Sequence, residues 1–339
     1  MVLDGCEGGV RVFAGASEVG MKVRVAVLDD YNGAAERSAD WKRLSDMATV
    51  TFFKDHLTDG PQLAARLRDF EVVVIERERT PFRRGLIAAL PNLRLLIATG
   101  PINWSIDFAY AAERGITVCG TDALQTFTPE LTLGLLLALA RRIVVEDRFV
   151  RAGGWQSGVG STLKGKVLGL VGLGQVGRMV AQLAKPFGTD VAAWSQNLTR
   201  EAAAAAGVRW LGKDELLATA DFVSLHVVLS DRTRGMIGAA ELSRMKPSAF
   251  LVNTSRGPLV DETALIAALT ERRIAGAALD VFDVEPLSAA HPFRLLDNVI
   301  VTPHVGYITD EQCRLFYGQV VENILAFVAG KPIRLLEAA

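Results

Sequence analysis

Residues 167–188 read VLGLVGLGQVGRMVAQLAKPFG, and the fold follows from how that stretch changes character along its length. It opens on an apolar run, 166–171, of the kind that forms a strand buried on both faces. The spacing Gly172-x-Gly174-x-x-Gly177 comes next, and an amphipathic helical pattern follows over 175–187. A GxGxxG alone is weak evidence, but between a strand and a helix it describes a phosphate-binding turn. Gly172 would allow the tight turn, Gly174 the close approach of a pyrophosphate, and Gly177 the contact of helix with strand. The free N–H groups at the helix start, around Gln175 and Val176, would then face the phosphates.

The same rhythm continues on both sides. Downstream, strand-like runs at 190–195, 221–227, 249–254, 274–282 and 298–303 alternate with helical patterns at 201–207, 212–219, 240–246 and 261–271. That alternation predicts a doubly wound, mostly parallel sheet. Upstream, a second α/β series begins at Lys22 with VRVAVLDD and has strand-like runs at 70–75, 93–98 and 116–120. A single long helix is expected from Pro129 to Arg151, with Thr128 as its N-cap and Pro129 at N1. The last periodic stretch, 309–329, reads as a closing helix.

Composition excludes several classes. With 339 residues, half of them hydrophobic, the chain can bury two domain cores. Its 37 basic and 38 acidic residues leave no basic stripe for nucleic acid. The apolar run 131–140 is too short to span a bilayer. Cys6, Cys119 and Cys313 lie far apart, form no metal-ligand spacing, and fit reduced thiols in the cytoplasm. Residues 1–20 are Gly- and Ala-rich without the core of a signal peptide, and read as a flexible extension with Met21 as an alternative start.

The chemistry lies in three motifs that follow strands of the second sheet: NTSRG (253–257), LDVFDVEP (279–286) and TPHVG (302–306). Ligands of such sheets sit beyond the carboxyl ends of the strands, so Arg256, Glu285 and His304 are expected to converge. Oxidising an alcohol to a ketone sends a hydride to a nicotinamide and a proton to a base. His304 can take that proton and return it during reduction. Glu285 could orient the imidazole and favour its protonated form, and Arg256 could grip a substrate carboxylate while polarising the keto oxygen. Thr254 and Gly306, in the same motifs, are counted among the cofactor-binding residues. His226 and Val227 end another strand of this sheet; either they line the cofactor pocket or His226 is structural. After the second strand of the unit stand Ser195, Gln196, Asn197 and Arg200, with no Asp or Glu to receive an adenine ribose. That tilts the cofactor from NADH toward NADPH, with the polar groups on bare ribose hydroxyls as the alternative.

These motifs, with LPNLRLLIATG (90–100), IDFAYAAERGITV (106–118) and TPELTLGLLLALAR (128–141), resemble the D-isomer-specific 2-hydroxyacid dehydrogenases over roughly residues 22–330. The resemblance implies Arg256 on substrate, His304 as acid/base and Glu285 as its partner. It further implies Asp280 on the nicotinamide carboxamide and backbone N–H groups of Thr99 and Gly100 on the substrate carboxylate. The implied architecture has two Rossmann-like domains. Residues 128–304 would form a doubly wound NAD(P)-binding domain, and 21–127 with 305–335 a flavodoxin-like substrate domain split between both ends of the chain. A homodimer, a cleft that closes on substrate and D stereochemistry are implied as well.

Glyoxylate or hydroxypyruvate reduction is the leading expectation. A same-fold enzyme for 3-phosphoglycerate or phosphite is an alternative, with Arg77 and Arg79 as its extra cations. A non-enzymatic, nucleotide-sensing corepressor-like protein is another, opposed by the complete Arg–Glu–His set. Many members carry an Arg close to an Asn after the 99–100 turn, where this chain has Pro101-Ile102-Asn103. Formate dehydrogenases pair the His with Gln, and Glu285 argues against their reaction.

Overall fold

The computed structural model describes residues 22–124 and 127–337; the expected extension over 1–20 and the alternative start at Met21 lie outside them. The chain forms two compact units, one from the residues up to Leu124 with those from Thr309 onward, the other from Gln125 to Ile308.

The first unit holds β1 (Val23–Val27), β2 (Ala48–Phe52), β3 (Val72–Ile75), β4 (Leu95–Ala98) and β5 (Thr117–Cys119) in the order β2-β1-β3-β4-β5, all parallel. This is the flavodoxin-like order, whose switch point lies between β1 and β3. The VVVI of β3 and the LLIA of β4 are buried throughout, as strands covered on both faces must be. β2, ATVTF, was not anticipated: it is a half-exposed edge strand whose two threonines interrupt the apolar signal. The closing helix, Asp310–Val328, packs against the short helix Ala34–Ser38 of this unit.

The second unit holds β6 (Val167–Val171), β7 (Asp190–Trp194), β8 (Arg209–Trp210), β9 (Phe222–Leu225), β10 (Phe250–Asn253), β11 (Gly276–Leu279) and β12 (Val299–Val301). Their order is β12-β11-β10-β9-β6-β7-β8, all parallel, the doubly wound arrangement with reversal at β6/β9. Side chains alternate between two cores. Leu168, Leu170, Phe222, Val252 and Ala278 face the helices Phe127–Ala140 and Gln175–Ala184. Val171, Val223, Leu225, Leu251, Ala277 and Leu279 face Lys213–Thr219, Ala239–Arg244 and Glu262–Thr270. Each fully buried Leu or Phe contributes about 1.5–3 kcal/mol.

The expected helix over 129–151 is two helices. The first, Phe127–Ala140, is apolar nearly all round, and the second, Ile143–Arg151, buries no residue completely. Between them Arg142 adopts a left-handed conformation, φ 55°, with its N–H on Leu139 O and its guanidinium on Glu146 and Ser157. The periodicity carried across the joint because a break of this kind needs neither Gly nor Pro. Thr128 is therefore not the N-cap: it lies inside the first turn, and its hydroxyl leaves the helix to donate to Gly306 O at 3.0 Å.

Candidate active site

The glycine turn has the shape its spacing predicts. Gly172 has φ +103°, and a Cβ there would fall 2.3 Å from His226 O; one on Gly177 would fall 2.3 Å from Gly172 O. A Cβ on Gly174 would meet no protein atom, so that side of the turn is open. Gly174 also begins the helix Gln175–Ala184 without any side-chain cap, leaving the N–H groups of its first turn, including those of Gln175 and Val176, facing that space. An open cradle of uncapped amides fits the pyrophosphate of NAD(P).

The strands then set a row across the sheet. Val171 pairs with Leu225, Leu225 with Asn253, Asn253 with Leu279, and Leu279 with Val301. One residue further on stand Gly172, His226, Thr254, Asp280 and Thr302, at the carboxyl edge. His226 and Asp280 are in the pattern of the face covered by Phe127–Ala140 and Gln175–Ala184, because side chains alternate along a strand. His226 is 9% exposed, and its Nε2 is 2.9 Å from Ser224 Oγ. Its Nδ1 is buried without a hydrogen-bond partner among the described residues. Burial pushes this imidazole down to about 4, so it stays neutral. Val227 follows it, half-buried.

Asp280 is fully buried and braces the loop that carries His304. Its Oδ1 accepts from Thr302 Oγ1 at 2.5 Å and from Val305 N at 2.9 Å, and its Oδ2 from Gly306 N at 2.8 Å. Burial raises its carboxyl above the ordinary value, while those three hydrogen bonds pull it down. Asp280, expected on the nicotinamide carboxamide, thus braces the loop through partners more than 20 residues away that no local motif marks.

His304 lies on this loop at φ +53°. Its Nδ1 is 2.6 Å from Glu285 Oε2, and the other oxygen, Oε1, accepts from Phe282 N at 2.9 Å. An ionised carboxylate only accepts, so Nδ1 carries the proton of this contact and Nε2 is left for exchange. The ring also meets Tyr307 edge-on, with centroids 5.7 Å apart. Arg256 follows a turn in which Asn253 Nδ2 donates to Arg256 O at 2.8 Å and Ser255 Oγ donates to Leu225 O at 2.7 Å. Its Nη1 donates to Ser255 O at 2.7 Å. Gly257 brings this turn onto the segment leading to Glu285: a Cβ there would lie 2.0 Å from the Phe282 carbonyl carbon.

The other predicted residues are placed as follows. Ser195, Gln196 and Asn197 follow β7, with Gln196 and Asn197 exposed. Arg200 opens the helix Arg200–Ala205 and lies over the Trp210 ring, 4.6 Å from its centroid. In the first unit, Thr99 N donates to Ile75 O at 3.0 Å and Gly100 N to Thr121 Oγ1 at 2.8 Å. Both N–H groups expected on the substrate carboxylate are thus engaged within the unit. Sheet continuation takes the first and the Thr121 hydroxyl, invisible to local motif reading, takes the second. Arg79 pairs with Glu76 at 2.7 Å, both about a tenth exposed, and Arg77 lies against Gly100, where a Cβ would come 1.9 Å from its Nη1. Thr128 and Thr132 were not anticipated as site residues; their one signal was two hydroxyls, four apart, in an otherwise apolar helix.

Among the described residues, no group of three or more His, Cys, Asp or Glu is placed to hold a metal ion, and no helix is long and apolar enough to cross a membrane.

A doubly wound sheet, an open glycine cradle and a carboxylate-held imidazole at the carboxyl edge define a nicotinamide-dependent oxidoreductase. The model of the D-isomer specific 2-hydroxyacid dehydrogenase NAD-binding domain matches residues 133–306. A glyoxylate reductase of Thermococcus litoralis is 41% identical over 258 residues, spanning 73% of this chain and 78% of that one. A D-3-phosphoglycerate dehydrogenase of Methanocaldococcus jannaschii is 38% identical over 274 residues, spanning 80% of this chain and 52% of that one. The crystal structure of a phosphoglycerate oxidoreductase from Vibrio cholerae superposes with a TM-score of 0.85 at 35% identity, covering 91% of this chain and 99% of that one. The chain belongs to the D-isomer-specific 2-hydroxyacid dehydrogenase family. It is an NAD(P)-dependent oxidoreductase acting on a small 2-keto or 2-hydroxy acid.

The neutral, buried His226 generates a prediction. Its folded value lies below the ordinary 6.5, so its contribution is present above pH 6.5 and lost as pH falls toward about 4. Urea unfolding at about pH 7 and about pH 4 is expected to show roughly 3 kcal/mol more acid loss in the parent than in His226→Gln. Equal acid loss in both proteins would place the sensitivity elsewhere.

Proposed function

We propose that this protein reduces a small 2-keto acid, glyoxylate or hydroxypyruvate, to the D-2-hydroxy acid, with NADPH preferred over NADH. The observation that carries the reading is the 2.6 Å contact of His304 Nδ1 with Glu285, which commits one ring nitrogen and leaves Nε2 for the substrate oxygen. A bound reduced nicotinamide supplies the hydride. His304 Nε2–H gives the keto oxygen its proton as that oxygen becomes an alkoxide. Glu285 fixes the orientation of the ring through Nδ1, and Arg256 pairs with the substrate carboxylate and draws electron density toward the keto oxygen. Asp280, with a lone-pair site to spare on Oδ2, accepts from the nicotinamide carboxamide while bracing the His304 loop. Gln175 and Val176 hold the pyrophosphate, and His226, Val227, Thr254 and Gly306 line the same carboxyl edge. Thr99 and Gly100 contribute the shape of the substrate loop.

The similarity to the glyoxylate reductase of Thermococcus litoralis supports a small substrate. So does the Arg79–Glu76 pair, which already matches a cation that a phosphorylated acid would need. The NADPH preference rests on the end of β7, where Ser195, Gln196 and Asn197 offer hydrogen bonds with Arg200 nearby and no carboxylate repels a 2′-phosphate. A homodimer is supported by the apolar exposure of Ile143, Phe149, Val150, Trp155 and Val159 on and after the helix Ile143–Arg151. We place it in the cytoplasm, in line with the free, buried Cys119 and Cys313.

Three outcomes are expected. In initial-rate assays, His304→Asn lowers kcat about a thousandfold and Glu285→Gln about a hundredfold, each with cofactor affinity retained; undiminished turnover of His304→Asn would remove it from the chemistry. The parent reduces glyoxylate and hydroxypyruvate faster with NADPH, and Ser195→Asp shifts the NADPH/NADH ratio of kcat/KM about a hundredfold toward NADH. A ratio that does not move overturns the assignment of Ser195. Light scattering gives a dimer for the parent and a monomer for Phe149→Asp; a parent monomer disposes of the interface.

A further inference from the structure

We propose that the first two turns of the helix Phe127–Ala140 set the spacing between the substrate-gripping arginine and the proton-transferring histidine. Thr132 would position Arg256 and Thr128 would position His304. The inference rests on the roles given to Arg256 and His304 above and adds to them two residues that touch neither reactant.

The hydrogen bonds have a fixed direction. Thr132 Oγ1 donates to Thr128 O at 2.8 Å, which uses its single proton. At the 2.8 Å contact between Thr132 Oγ1 and Thr254 Oγ1, Thr254 is therefore the donor. Thr254 is 7% exposed and Thr132 fully buried, so water does not substitute at this junction. Thr254 begins the turn Thr254-Ser255-Arg256. Thr128 Oγ1 donates to Gly306 O at 3.0 Å, and Gly306 ends the run His304-Val305-Gly306. The Gly306 N–H is on Asp280 Oδ2, so this residue is held through the peptides on both of its sides.

Helical spacing puts Thr128 and Thr132, at i and i+4, on one stripe of the helix. One stretch of a rigid helix thus ties both loops, the Arg256 loop through Thr132 and the His304 loop through Thr128, and the two ties meet at Thr128, whose carbonyl accepts from Thr132 and whose hydroxyl donates to Gly306. The Arg256 loop leaves β10 and the His304 loop leaves β12, with β11 between them. A common anchor on the covering helix holds their separation more firmly than the intervening loops do. A misplacement of about 1 Å between reacting groups can cost about a hundredfold in rate.

The test is steady-state keto-acid reduction by Thr128→Val and Thr132→Val, which keep shape and lose the hydroxyl, beside Thr128→Ser and Thr132→Ser, which keep the hydroxyl. Cofactor affinity is followed by fluorescence titration and folding by the unfolding midpoint. Thr128→Val is expected to lower kcat about tenfold with KM within about twofold, and Thr132→Val to raise KM for the keto acid about tenfold. Both serine proteins stay within about twofold of the parent, and all four bind cofactor as the parent does. If a valine protein does not fold, the alanine variant at that position replaces it and must give the same signature. Val or Ala proteins that fold and turn over like the parent overturn the proposal, as do serine proteins as impaired as the valines, which would indicate packing alone. His304→Asn in the same assay keeps the two readings apart: its full activity would defeat the role of His304 itself, whereas its loss beside unaffected threonine variants defeats only the positioning.

Discussion

A histidine held at φ +53° occupies backbone space that costs an L-residue roughly 1–2 kcal/mol, and the second unit is organised to hold one there. Asp280 takes the Thr302 hydroxyl and the N–H groups of Val305 and Gly306, on both sides of the turn. Glu285 takes the ring. The cost of burying Asp280 is offset in part by those three donors. Without that carboxylate the segment from Thr302 to Gly306 would lose three fixed points at once, and the imidazole would no longer be aimed by the sheet.

The parallel register explains why so few residues suffice. Successive strands end in step, so a turn for phosphate, a neutral imidazole, a hydroxyl and a buried carboxylate fall in one row from Gly172 to Thr302. Loops that begin from such a row start at matched heights. The site then requires only short turns, two of them made possible by glycines whose Cβ positions are occupied by backbone: Gly172 against His226 and Gly257 against Phe282.

Much of this was legible in the sequence because it is written locally. Apolar runs of four or five residues, glycines at fixed spacing, and polar residues just past strands each depend on near neighbours, and they located the two α/β units, the glycine turn and the loops that bring His304 to Glu285. What escaped depends on partners distant in the chain. The edge strand Ala48–Phe52 is half polar because one side faces no neighbour. The break at Arg142 rests on a left-handed arginine that no motif marks. The hydrogen bonds of Thr99 and Gly100 go to Ile75 and Thr121, and those of Thr128 and Thr132 to Gly306 and Thr254; none of these pairings has a signature within its own segment.

The stripe formed by Thr128 and Thr132 has a consequence for how this chain can vary over evolutionary time. An inserted or deleted residue between them turns everything beyond it by about 100° about the helix axis. One hydroxyl would then face its loop while the other turned away from its own, and Leu135, Leu136 and Leu139 would turn with it out of the core they help to fill. Chain length at this turn is therefore constrained more tightly than residue identity.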